Sequence, residues 1–216
     1  MTRLGYLIQC AALGAAFLGC GSNTPSGGAT SALQLVPASD VSGWKFDAIN
    51  SKTANGAATA TTEPDTEALI DGAAAEFFAA PYTPVLFAWE TYVNASMTTA
   101  DTTSPAWDKQ YPNGAKLDLK ILQMPSAAQA AGLYASLPAT SLYVGKSWTE
   151  PSSPKVGTGS RVTDTNTDWW INFYQGNFYV EVKMGPSYSP PPDYNPGNTV
   201  TQTAAFAFAA AVAGKI

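Results

Sequence analysis

The sequence predicts an α+β domain, one antiparallel sheet with helices packed mainly on one face, behind an N-terminal segment that is removed. Three observations lead there. Two apolar segments, residues 168–174 and 178–184, alternate with period two on either side of Gln175-Gly176-Asn177, which reads as a hairpin. Other segments carry apolar residues at helical spacing, and the two kinds do not follow one another in regular β-α-β order. Finally, 216 residues that are 45% hydrophobic and 12% charged, with six Trp, ten Tyr and nine Phe, are enough for one well-filled core.

Along the chain, residues 1–19 read as a signal peptide. Arg3 precedes an apolar run over residues 4–18, too short to span a hydrocarbon core of about 30 Å. Residues 20–32 are Cys20 and a Gly/Ser/Thr-rich tether, and residues 33–216 form the single folded domain. Residues 47–62 lack an apolar period and read as a loop. Pro64 and Asp65 open a helix, with Asp65 as the cap and Leu69, Ile70, Ala73, Ala74, Phe77 and Phe78 on one face. Val85, Phe87, Trp89 and Val93 mark a strand, and Leu117, Leu119 and Ile121 a half-buried one. Pro125-Ser126 starts a short helix through Ala130, Leu133, Tyr134 and Leu137. A weaker strand over 156–162 precedes the hairpin, in which Trp169, Ile171, Phe173, Phe178, Val180 and Val182 share the core face, expected against the helix of Leu69 and Phe77. Residues 185–197 are a proline-rich loop, and Asn198 or Thr199 caps a last helix with Phe206, Phe208 and Val212.

Composition removes whole classes of chemistry. There is no His, so His-based triads, His general bases and His metal ligands are excluded. A net charge of −5 and the lack of a basic run argue against nucleic-acid binding. No phosphate-binding glycine loop and no nucleophile elbow is present, and no cofactor is implied.

Phe17-Leu18-Gly19-Cys20 resembles the lipobox of bacterial lipoproteins. That resemblance implies lipid attachment at Cys20, cleavage before it, and a membrane anchor in the cell envelope. Gly21 favours the outer membrane, facing the periplasm or the surface. The alternative is an ordinary secretory peptide with an incidental Cys. With Cys10 removed and Cys20 lipidated, no thiol is left for a disulfide or a nucleophile. Further motifs, namely Leu35-x-Pro37, Gly43-Trp44, Ile70-Asp71-Gly72-Ala73 with Phe77, Met124-x-Ser126 and Gly176-x-Phe178-Tyr179, resemble a bacterial family of secreted and lipid-anchored proteins known only as a domain of unknown function. It implies no activity. A looser likeness is to the PsbP type of α+β fold.

Three candidate sites follow. Asp71, Glu76 and Glu90 are carboxylates for acid/base hydrolysis, although Asp71 and Glu76 point about 140° apart on a helix. Asp164, Asn166 and Asp168 have the oxygen spacing of half a calcium loop, without its Gly and Glu. Trp170, Tyr174 and Tyr179 line the outer hairpin face, expected open to a glycan or an envelope protein, with Tyr188 and Tyr194 of the proline-rich loop as a wall. The expected function is a non-enzymatic binding domain anchored in the envelope. The alternatives are a carboxylate-dependent hydrolase and a purely structural envelope component.

Overall fold

The structure is a computed structural model that describes residues 30–47, 57–70, 72, 74–94, 116–140, 143–151, 155–164, 169–185 and 199–216. Cys20, residues 21–29 of the tether, Asp71, Ala73, Asn166, Asp168, and the loop bearing Tyr188 and Tyr194 lie outside the described residues, whereas the last residues of the expected tether belong to the fold, with Ser31 as a helix N-cap and Ala32 buried.

Seven strands form one open antiparallel sheet: β1 (Trp44–Phe46), β2 (Ala58–Ala60), β3 (Leu86–Asn94), β4 (Lys116–Gln123), β5 (Gly159–Asp164), β6 (Trp169–Gln175) and β7 (Phe178–Gly185). The spatial order is β1-β3-β4-β7-β6-β5, with β2 also on β3. The β6–β7 hairpin pairs Gln175 with Phe178, which makes Gly176-Asn177 the two-residue turn. Gly176 has φ +53°, a conformation open to glycine without the Cβ penalty.

The expected core face of the hairpin is present. Trp169, Ile171, Phe173, Phe178, Val180 and Val182 are buried together with Leu117, Leu119 and Ile121. Its cover differs from the expectation. The helix above it is the C-terminal α5 (Thr199–Ala213), through Ala205, Phe208, Ala209 and Val212, joined by the short α1 (Ala32–Leu35). Leu69, Ile70, Phe77 and Phe78 pack on the opposite face, with Phe87, Leu122 and Tyr179. There α2 (Glu63–Ile70), α3 (Ala75–Phe78) and α4 (Ala127–Ser136) form a second cover. Helices therefore flank both faces, and the one-sided packing is corrected to two covers. The reason lies in β3, β6 and β7, whose side chains are buried on both sides and so need apolar cover twice.

The single helix expected after Pro64 is two. Gly72 has φ +116°, outside any right-handed helix, and the chain breaks between α2 and α3. Glu67 bridges the break, its Oε2 accepting from the Ala74 N–H at 2.8 Å. Thr62, not Asp65, caps α2: its hydroxyl oxygen accepts from the Asp65 N–H at 3.3 Å and its O–H donates to the Asp65 carboxylate at 2.6 Å. Strand β2 occupies part of the stretch expected as a loop. Ser126 caps α4 as its position after Pro125 predicts, accepting from the Gln129 N–H at 3.2 Å. Among the described residues no helix is long and apolar enough to cross a membrane.

Candidate functional site

The face of the sheet under α4 is not a second apolar core throughout. Strand registry carries one polar residue per strand across it: Lys120 of β4 is opposite Glu181 of β7, Glu181 opposite Asn172 of β6, and Asn172 opposite Arg161 of β5. The neighbouring row runs Asp118, Lys183, Trp170 and Thr163. Period-two alternation places both rows on the side of Tyr179 and Trp170. Asn172 and Glu181 are fully buried, and Arg161 is 6% exposed.

One half of this patch is satisfied. Lys120 Nζ donates to Glu181 Oε1 at 2.8 Å, and the Tyr143 hydroxyl donates to Glu181 Oε2. Burial pushes the Tyr143 phenol well above its ordinary range, and the negative charge of Glu181 adds to the shift. Tyr143 thus stays protonated and acts as a donor. Burial raises Tyr179 likewise, with Glu181 again contributing and Arg161 opposing. The Tyr179 hydroxyl sits beside Tyr143 and Arg161 without closing a well-formed hydrogen bond.

The other half is unsatisfied. Arg161 spends Nη1 on the Tyr134 carbonyl of α4, and its Cζ lies 4.1 Å from the Tyr134 ring centroid and 4.9 Å from that of Trp148. Among the described residues its Nε and Nη2 close no well-formed hydrogen bond, although the Tyr179 hydroxyl sits beside the guanidinium, nor do Nδ2 and Oδ1 of Asn172 or the indole nitrogens of Trp148 and Trp170. The rings enclose the patch: Trp148 and Trp170 meet edge to face at 6.3 Å, Tyr143 packs 5.5 Å from Trp170, and Tyr134 5.0 Å from Tyr174. Lys146 and Lys183 stand 4.6 and 5.1 Å from the Trp170 ring centre.

The expected outer aromatic strip is corrected accordingly. Trp170 is 4% exposed and Tyr179 fully buried, while Tyr174 is half-buried against Tyr134. The strip lies beneath α4 and the residues 143–148 because this face too has apolar rows to cover. The three rings are walls of an interior site and not an open surface. The structure adds Arg161, Tyr143 and Trp148, which sequence reading passed over. A usable signal was present: Lys120 and Glu181 have opposite signs on strands flanked by apolar neighbours, as a buried pair requires.

Of the candidate carboxylates, Asp71 lies outside the described residues, and Glu76 and Glu90 do not converge, standing on opposite sides of the sheet. Glu90 is buried on the α5 side, in the row of Leu119 and Val182, and Glu76 lies on α3. Among the described residues no group of three or more His, Cys, Asp or Glu could hold a metal ion. Comparison with protein-family models, with curated proteins and with solved structures finds no match to this chain.

Proposed function

We propose that this chain is a lipid-anchored cell-envelope domain that binds a small polar ligand, without transforming it, between β5–β6 and the cover formed by α4 and residues 143–148. One observation carries the binding reading. Six polar atoms of Arg161, Asn172, Trp148 and Trp170 lie buried within one patch and close no hydrogen bond among the described residues. Each such atom costs about 1–3 kcal/mol when left unmet, and a polar ligand that met several of them would recover that cost, which favours binding here. The Lys120–Glu181–Tyr143 unit beside them supports binding over hydrolysis, since both Glu181 oxygens already accept hydrogen bonds.

The envelope placement is supported by Gly19-Cys20 after an apolar run and by the resemblance to bacterial lipid-anchored proteins. The anchoring is through the acyl chains, because an acidic domain is repelled by anionic lipid. Native mass spectrometry of the protein extracted from envelopes in detergent tests both parts. The expected spectrum has acyl mass on Cys20 and an additional small-molecule mass that disappears in Asn172→Leu. A protein without acyl mass overturns the anchor, and one that never carries or takes up a small molecule overturns the binding reading.

A further inference from the structure

Resting on that binding reading, we infer that the ligand presents a carboxylate to Arg161. The guanidinium has three nitrogens, and the structure divides them unevenly. Nη1 is used inside the fold, on the Tyr134 carbonyl. Nε and Nη2, which share one edge of the guanidinium plane, close no hydrogen bond among the described residues. Their two N–H bonds run parallel, spaced to meet both oxygens of one carboxylate. The edge is held in place, since Tyr134 and Trp148 lie against the guanidinium and 6% exposure leaves the side chain little freedom.

The surroundings select charge and shape. Lys120 matches Glu181, and among the described residues no carboxylate meets Nε and Nη2 of Arg161. The unpartnered indole N–H groups of Trp148 and Trp170 are donors only, and Lys146 adds positive charge beside Trp170. A donor-rich, cationic patch with flat aromatic walls fits an oxyanion on a planar or apolar body. Asn172, opposite Arg161 in register, offers both a donor and an acceptor to a second polar group on the same ligand. Its amide distinguishes a substituted organic acid from a bare anion.

The test is a titration of the full-length protein in detergent, observed at the ¹H–¹⁵N resonance of the Arg161 side-chain Nε–H. The probes are benzoate, its uncharged counterpart benzamide, and inorganic phosphate. Benzoate is expected to move the resonance saturably, with benzamide and phosphate at least tenfold weaker. Arg161→Lys, which keeps the charge and loses the parallel edge, should weaken benzoate at least tenfold. If that variant does not fold, the wild-type resonance with benzamide as control decides alone. Equal or tighter binding of phosphate or benzamide overturns the inference, as does a resonance that benzoate leaves in place. When the extracted protein carries an uncharged ligand and benzoate does nothing, the carboxylate falls and the binding reading stands. When nothing is carried and no probe binds, both fall.

Discussion

The two faces of one sheet contrast within the same strands. On the α5 side, alternate residues of β4, β6 and β7 are Leu, Ile, Val, Phe, Trp and Met, and Phe208 of α5 closes on Tyr92 at 4.5 Å and on Trp44 at 5.6 Å. On the α4 side, the intervening residues include Lys120, Asn172 and Glu181 among Leu122, Trp170 and Tyr179, buried as deeply or nearly so but with polar atoms to place. One residue's step along a strand separates an apolar layer that contributes stability from a row of buried polar groups that costs it. A polar residue kept at a buried position beside an equally available apolar alternative is a mark of selection for something other than stability.

The largest expected effect tests the apolar side. Phe208→Ala should lower stability by about 4 kcal/mol through lost burial and the cavity left between Tyr92 and Trp44, read as a lower denaturation midpoint at unchanged slope. An effect under about 1 kcal/mol would mean that α5 is not the cover of this face. On the α4 side, Lys120→Met leaves the Glu181 charge buried with one donor fewer, and should cost about 3 kcal/mol. The double variant Lys120→Met/Glu181→Leu should recover most of that loss, because the pair's desolvation disappears with its attraction.

Alkaline pH sharpens the contrast further. Tyr143 and Tyr179 on one face and Tyr92 on the other have phenols raised by burial. In the unfolded chain these groups lose their protons from about pH 10, whereas the folded chain keeps them. The folded state then binds more protons, so stability is full below about pH 10 and falls above it, by about 1.4 kcal/mol per pH unit for each phenol. Tyr143→Phe should make the decline shallower by one such increment in denaturation midpoints measured from pH 9 to 11.5. An unchanged slope would place the Tyr143 proton elsewhere.

Smaller effects separate function from stability. Asn172→Leu should raise stability by about 2 kcal/mol in ligand-free protein, since it removes two unmet polar atoms, while abolishing binding. A large loss of stability would show that the amide is structural. Asp40 is held below the ordinary carboxylate range by the hydrogen bond from Lys215, at 2.9 Å near the end of α5. Both side chains are about a third exposed, so solvent screens the pair, and Asp40→Asn should cost about 0.5 kcal/mol or less at neutral pH. The contribution is present above the ordinary carboxylate range and is lost as pH falls through the lowered value, so at pH 2 the two proteins should melt alike.

Much of the fold was readable along the chain because its signals are local. The hairpin follows from alternation around Gly176-Asn177, the start of α4 from Pro125-Ser126, and the composition of the α5-facing layer from Trp169 to Met184. The break at Gly72 was not readable, since an isolated glycine in an apolar helical pattern has several uses and only the observed φ chooses among them. The pairing of helix with face was not readable either. Leu69 and Phe208 carry equally apolar stripes, and period-two strands buried on both sides accept either helix.

The site shows the same division more sharply. By itself the sequence determined that no histidine acts here, and that polar residues share strands with core residues. Only the tertiary structure decided that Arg161, Asn172, Glu181 and Lys120 stand in one row, because that row depends on the order β4-β7-β6-β5, which joins residues from 120 to 181. It also decided that Trp170 and Tyr179 face inward beneath α4. Alternation along a strand says which side chains share a face, but whether that face meets water or a helix is set by contacts distant in sequence.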